Sequence, residues 1–149
     1  MKSFITSAFV LSLVCLASSA IPAQGPDLAK VLAGADWSKM ESVTVTMTEY
    51  AFSPTPIVLK EGVPTRLVLK NVGKEAHYFV AEQFSKMIAT RKVQGSDGEI
   101  KAPYFTAVEV YPGKSLEWFL VPAQKGVYDL LCTVKGHAEH GMKAKIVVH

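Results

Sequence analysis

The sequence is poor in cysteine, in histidine and in net charge. Of its 149 residues only two are cysteine and four are histidine, and the formal net charge is +3. This charge is too small to favour nucleic acid as a partner, because the Lys and Arg residues are interspersed with Asp and Glu. Four histidines are too few for a second metal cluster of the usual kind. The sequence therefore offers room for one small functional site.

An apolar run lies near the N-terminus, and it is shorter than a membrane-spanning helix. Lys2 precedes an apolar stretch at residues 4–16, and small residues follow up to Ala20. This pattern is typical of a cleavable export signal, with cleavage expected after Ala20 and Ala23 as the second choice. A membrane-spanning helix needs about 20 apolar residues. We therefore predict that residues 1–20 are a signal peptide and that the protein is periplasmic, without stable membrane insertion.

Removal of that signal leaves Cys132 as the single cysteine. Exported proteins usually pair their cysteines in disulfides, and this cysteine has no partner within the chain. Its thiol therefore needs another explanation: inert burial, pairing between molecules, catalysis or metal ligation.

From residue 43 onward the sequence consists of short β-type runs separated by Pro- and Gly-containing turns. Within residues 42–50, three apolar residues alternate with three threonines, which is the period of a half-buried strand. Seven further runs are predicted as strands, at residues 57–59, 65–71, 77–81, 106–111, 115–121, 127–132 and 143–148. About eight short strands with turn signals between them predict an all-β sandwich or barrel over residues 43–149.

Two segments depart from this β pattern. Residues 21–42 are predicted as a linker with a short helix at the edge of the domain. Apolar residues in the segment 81–92 are spaced three and four apart, which predicts a helix inserted between strands. Residues 94–98 are polar and glycine-rich, and a surface loop is expected there.

The segment between Cys132 and Met142 contains three residues that can bind a metal. A predicted strand ends at Cys132, Gly136 permits a sharp turn, and His137 and Met142 follow with four residues between successive donors. Sulfur combined with imidazole favours copper or zinc over magnesium or calcium. Two histidines and one cysteine with a distant axial methionine are the ligands of electron-transfer copper. His77 is the candidate for the second histidine, because the strand that it opens can lie beside the strand that ends at Cys132.

The residues alone also allow other sites. One cysteine with two histidines can bind zinc, although a thioether is a poor zinc ligand. Glu139 and His140 lie within the same loop and are expected to be solvated, but either could replace Met142 and give a redder copper site. A hydrolase with Cys132 as nucleophile would need one of the histidines as a base and an oxyanion hole, and no residues mark these.

The segment CTVKGHAEHGM, with LKNVGKEAHYF and EYAFSPTPIVLKEG upstream, resembles the plastocyanin and azurin family of cupredoxins over residues 43–149. This resemblance implies a Greek-key β-sandwich or barrel with one type 1 copper ion. It implies His77, Cys132 and His137 as strong copper ligands and Met142 as the weak axial ligand. It also implies that His137 reaches through an apolar surface patch and serves as the exit for the electron.

The sequence departs from the usual pattern of that family at three places. Tyr78 stands where many members have an asparagine that braces the cysteine loop. Lys135 stands where a proline often precedes the Gly-His pair. The segment 82–103 exceeds the smallest members, and it is expected to cover the barrel or to present a surface to a partner.

The expected function is therefore that of a periplasmic one-electron carrier, monomeric and not an enzyme. Its expected partners are redox proteins such as cytochromes or a copper enzyme, and no nucleic acid. The alternative is a copper-handling protein for delivery or resistance. Such proteins often use exposed clusters of methionine and histidine, and the five dispersed methionines of this chain argue against that alternative.

Overall fold

The computed structural model describes residues 25–149, which form two packed β-layers. The predicted signal peptide and its cleavage positions lie outside the described residues. In the described part of the chain the strands are β1 Glu41–Thr48, β2 Ala51–Ser53, β3 Ile57–Leu59, β4 Thr65–Asn71, β5 His77–Phe79, β6 Ile88–Gly95, β7 Gly98–Ile100, β8 Val108–Val110, β9 Ser115–Pro122, β10 Gly126–Leu131 and β11 Lys143–Val148. The predicted all-β sandwich is confirmed, and each of the eight predicted runs contains a strand.

The first layer is a six-stranded sheet in the order β2-β1-β4-β9-β6-β7. Strands β1 and β4 pair in parallel, with Val45 opposite Leu69, while β9 pairs antiparallel with both β4 and β6. In β4 buried residues alternate with partly or fully exposed ones. This alternation is the two-residue period of a strand that has one face on the core.

The second layer contains β10-β11-β3 and the pair β5-β8. An isolated antiparallel bridge between Val80 and Leu131 joins these two groups, with N–H···O distances of 3.1 and 3.0 Å. The bridge sets the strand that begins at His77 beside the strand that precedes Cys132. The predicted adjacency of these two strands is therefore confirmed.

The core between the layers is dominated by aliphatic and aromatic side chains. Trp118 of β9 is 1% exposed and lies edge-on to Phe79 and Phe105, with centroid separations of 6.2 and 5.7 Å. Its indole N–H donates to the hydroxyl of Thr90 at 3.2 Å, so the polar atom of this large side chain is paired. Burial of a large apolar side chain stabilises the fold by about 1.5–3 kcal/mol.

A short helix precedes the sandwich, as expected for residues 21–42. Helix α1, Leu28–Ala33, begins after Asp27, whose side chain accepts from the N–H of Lys30 at 3.1 Å. Helix α1 packs on β6. After α1, the guanidinium of Arg91 lies 4.7 Å from the ring centroid of Trp37, which is within cation–π distance. Among residues 25–149 no helix has the length and apolarity needed to cross a membrane.

The predicted helix inserted within 81–92 is confirmed, but it is shorter than the spacing indicated. Helix α2 covers only Glu82–Lys86, and β6 begins at Ile88. The register of β6 against β9 shifts between Thr90 and Lys92. Because such a bulge inserts an extra residue, it interrupts the two-residue alternation and hides a strand from sequence analysis. Within the expected loop at 94–98, only Ser96 and Asp97 form the turn of the β6-β7 hairpin, and the flanking residues are paired strand.

Candidate metal centre

Three predicted ligands meet at one end of the sandwich. One donor atom each of His77, Cys132 and His137 can be chosen so that all three lie within 4.8 Å of one another. Within residues 25–149 this is the only group of three or more His, Cys, Asp or Glu side chains with that geometry. The first two residues are 0% exposed and His137 is 3% exposed. The structure thus brings a thiol and two imidazoles together out of contact with bulk water.

The loop that follows β10 is fixed by its own backbone hydrogen bonds. The N–H of His137 donates to the carbonyl of Val134 at 3.0 Å, and the N–H of Met142 donates to the carbonyl of His137 at 2.9 Å. The N–H of Cys132 donates to the carbonyl of Met142 at 3.1 Å. Gly136 has a φ of +85°, a conformation that favours glycine. The backbones of the three predicted donors are therefore linked, and the Met142 side chain is fully buried.

His77 has the environment expected of a ligand. Both of its ring nitrogens are buried and lack a hydrogen-bond partner. A buried polar group without a partner costs about 1–3 kcal/mol. Burial, followed by the charge of His137, lowers the pKa of His77. The neutral imidazole thus favoured is the form that binds metals.

The thiol of Cys132 lies between the two histidine-bearing segments. Its Sγ accepts from the backbone N–H of Tyr78 at 3.4 Å and lies 3.6 Å from Nδ1 of His137. Tyr78, which stands where the family often has asparagine, thus contacts the cysteine through its backbone. Among the described residues Cys132 is the only cysteine, and it forms no disulfide.

Asn71, at the end of β4, fixes the loop that leads to His77. It is 1% exposed, and its Nδ2 donates to the carbonyls of Glu75 at 2.7 Å and Val110 at 2.8 Å. Its Oδ1 accepts from the N–H of Gly73 at 2.8 Å. One buried amide therefore connects β4, the loop at 72–76 and β8, and no local sequence pattern marks this residue.

Two carboxylates from separate loops approach the outer edges of the histidines. Oε2 of Glu75 lies 2.8 Å from Nε2 of His137. Oε1 of Glu49 lies 3.9 Å from Nε2 of His77 and accepts from the N–H groups of Lys74 and Glu75. These hydrogen bonds, that from Lys74 foremost, lower the pKa of Glu49. Glu139, the carboxylate that the sequence offers as an alternative ligand, is exposed.

The structure also differs from the resemblance at the edge of His137, which was expected to be open. The Nε2 atom of His137 contacts Glu75, and the Tyr50 ring lies edge-on to the His137 ring with a centroid separation of 5.4 Å. Tyr50 also contacts the ring of His140 at 4.8 Å. His140 is exposed, and its Nδ1 lies 2.6 Å from the carbonyl of Gly136. A tyrosine and a carboxylate therefore cover the histidine that the resemblance assigned as electron exit.

Comparison with known proteins gives the family. The family model described as a cupredoxin-like domain matches residues 8–148, nearly the whole chain. The chain belongs to the cupredoxin family.

The chain is 29% identical over 108 residues to the copper-resistant cuproprotein CopI from Rubrivivax gelatinosus. The match covers 72% of this chain and 66% of CopI. A multicopper oxidase from Pseudomonas thermotolerans has a TM-score of 0.59 at 23% identity, over 77% of this chain and 31% of the oxidase. An auracyanin from Roseiflexus castenholzii has a TM-score of 0.51 at 19% identity, over 78% of this chain and 99% of the auracyanin. These structural likenesses support the fold.

Copper is the cofactor that this family implies, and the residues fit it. The unpartnered ring nitrogens of His77 and the sulfur of Cys132 are soft or borderline donors in a buried position. Such donors suit copper better than hard cations. The chain is therefore a copper-binding cupredoxin.

Proposed function

We propose that this cupredoxin is an exported one-electron carrier with a single copper ion bound by His77, Cys132 and His137. The convergence of one thiol and two imidazoles in a buried site supports this proposal most directly. Copper bound by this ligand set would supply a one-electron Cu(I)/Cu(II) couple of the kind found in electron-transfer centres. Redox proteins are the proposed partners, and export by residues 1–20 is part of the proposal.

The chain would contribute fixed donor positions and the exclusion of water. The backbones of Cys132, His137 and Met142 are hydrogen-bonded to one another, so their side chains start from a rigid loop. Burial controls the access of solvent to a metal site and thereby tunes its potential. A carrier without catalytic activity is favoured because the described residues offer a single donor group of this kind, in which all three side chains are buried.

We expect Met142 to act as the weak axial ligand, and its replacement tests this. Met142→Leu should keep the intense colour of the copper(II) form and raise the reduction potential, because the lost thioether no longer donates to copper(II). Met142→Gln should lower the potential, since an oxygen donor favours copper(II). A tenfold change in relative affinity for the two oxidation states corresponds to about 59 mV. Spectroelectrochemistry measures the shift.

The control for Met142 is Met87→Leu, which changes a partly buried methionine beside α2. This substitution should leave the potential unchanged. Equal potentials for the Met142 and Met87 variants would contradict axial ligation by Met142.

A copper-handling role is the second candidate, favoured by the likeness to CopI, whose name describes a copper-resistant cuproprotein. The two roles differ in what leaves the protein. A carrier passes an electron and keeps its copper in both oxidation states. A handling protein passes the copper itself to an acceptor.

Redox cycling in the presence of a copper(I) chelator separates these roles. We expect the copper-loaded protein to reduce cytochrome c and to be re-reduced through many cycles with one copper per chain retained. The rate of electron transfer to cytochrome c should be the same with and without a copper(I) chelator of moderate affinity. Transfer of copper to the chelator at the first reduction, with loss of further electron transfer, would instead support copper handling.

A further inference from the structure

We propose that Glu75 is a positioning residue for the copper centre, which holds His137 in the tautomer and orientation needed for ligation. This inference rests on the proposed ligation of copper by His137 and is independent of whether the protein carries electrons or delivers copper.

The two nitrogens of His137 face different groups. Nδ1 lies 3.6 Å from Sγ of Cys132, on the side where the predicted ligands converge. Nε2 lies 2.8 Å from the Glu75 carboxylate. An ionised carboxylate only accepts hydrogen bonds, so Nε2 carries a proton, and in the neutral imidazole Nδ1 then keeps its lone pair. A carboxylate on the outer nitrogen fixes the ring and makes a metal-bound histidine more basic.

Glu75 is held in place although its side chain is exposed. The side chain is 60% exposed, against 4% for His137. A contact made by an exposed carboxylate is usually weak because ordering its side chain costs entropy. Here the Glu75 backbone is fixed on both sides: its N–H donates to Glu49 at 3.1 Å and its carbonyl accepts from Asn71 at 2.7 Å. Only the side-chain torsions of Glu75 remain to be ordered.

Glu49 completes the arrangement on the side of His77. Its Oε1 holds the backbone of Lys74 and Glu75 and lies 3.9 Å from Nε2 of His77. A Cβ atom at Gly73 would come within 2.6 Å of that oxygen and 2.9 Å of Nε2 of His77. Glycine at position 73 therefore leaves room for the carboxylate beside the imidazole. Each histidine thus has a carboxylate at its outer edge, and Glu49 also supports Glu75.

The negative charge has a separate consequence for the metal. A carboxylate near the centre stabilises copper(II) more than copper(I), because the attraction scales with the charge of the ion. Loss of the Glu75 charge should therefore weaken copper(II) binding more than copper(I) binding and raise the reduction potential.

Two substitutions separate the hydrogen bond from the charge. Glu75→Gln keeps an oxygen that can accept from Nε2 of His137 but removes the charge, whereas Glu75→Ala removes both. The control is Glu61→Gln, which makes the same charge change on an exposed side chain at the other end of β11, where the N–H of Glu61 donates to the carbonyl of His149. The measurements are competitive copper(I) and copper(II) titration, the reduction potential, the copper(II) paramagnetic resonance spectrum, and ¹⁵N NMR of His137 in the metal-free full chain.

We expect Glu75→Ala to weaken copper(II) binding about tenfold or more, because losing the outer partner of a metal-bound histidine typically weakens metal affinity by that amount. In the metal-free variant, His137 should no longer keep the single Nε2–H tautomer. Glu75→Gln should keep that tautomer and the hyperfine pattern, yet raise the potential. A tenfold loss confined to copper(II) would correspond to about 59 mV. Should Glu75→Ala fail to fold, the potential of Glu75→Gln compared with that of Glu61→Gln still decides.

The inference is overturned if both Glu75 variants match Glu61→Gln in copper(II) affinity, potential and His137 tautomer. A wild-type chain that binds no copper would refute the ligation itself. A wild-type chain that binds copper and exchanges no electrons would refute only the carrier function and leave the role of Glu75 standing.

Discussion

Replacement of Cys132 with serine is expected to abolish the intense visible absorption of the copper(II) protein and to widen its copper hyperfine splitting. A thiolate is the soft donor that distinguishes this ligand set from one of nitrogen and oxygen. Serine presents a hard hydroxyl at a site that is 0% exposed. Copper(I) binding should fall most, because copper(I) depends most on sulfur.

This result would not follow from a general loss of structure. Serine has nearly the volume of cysteine, and the backbone hydrogen bond from Cys132 to Met142 does not involve the side chain. Ala144→Ser, which adds a hydroxyl to a buried position of β11, is the matched control and should keep the colour. Thermal unfolding of the metal-free proteins verifies their fold. An intense absorption band that survives in Cys132→Ser would contradict thiolate ligation.

Replacement of Asn71 with alanine is expected to lower the free energy of unfolding of the metal-free protein by about 3 kcal/mol, since each lost partner of a buried polar group costs about 1–3 kcal/mol. The change leaves the carbonyls of Glu75 and Val110 and the N–H of Gly73 without the amide that now pairs them. Two of these three bonds are only partly buried, so the expected loss is smaller than three times the upper value for one fully buried bond. Copper affinity should fall as well, because the freed loop leads directly to His77.

Denaturant unfolding and copper titration measure these two effects. Gln94→Ala is the control, because it removes a single hydrogen bond from Gln94 to Glu117 on the surface of the six-stranded sheet. That variant should lose about 1 kcal/mol, as expected for one partly buried hydrogen bond between side chains. An Asn71→Ala protein as stable as the control, with unchanged copper affinity, would show that the loop is held by other contacts.

The strands and the cysteine loop could be predicted from the sequence because their signals are local. Alternation of apolar residues marks β1 and β4, and Cys132, His137 and Met142 lie within eleven consecutive residues. His77 could be assigned because its strand was expected beside the strand ending at Cys132. Strand β6 was missed because the bulge at Thr90–Lys92 breaks its alternation.

The carboxylates of the site could not be predicted, since their positions depend on tertiary structure. Glu49 lies in the turn between β1 and β2, and 26 positions separate it from Glu75, whose N–H it binds. No local pattern distinguishes these residues from solvated acids such as Glu139. The burial of His137 by Tyr50 and Glu75 has the same origin, because three loops must meet before that edge is covered.

The most direct test of the account is X-ray absorption spectroscopy of the copper-loaded protein in both oxidation states. We expect one short copper–sulfur distance and two copper–nitrogen distances that change little on reduction, because the donors are fixed by the fold. A shell of nitrogen and oxygen alone, or a large change in coordination number on reduction, would contradict both the ligand set and the function proposed for it.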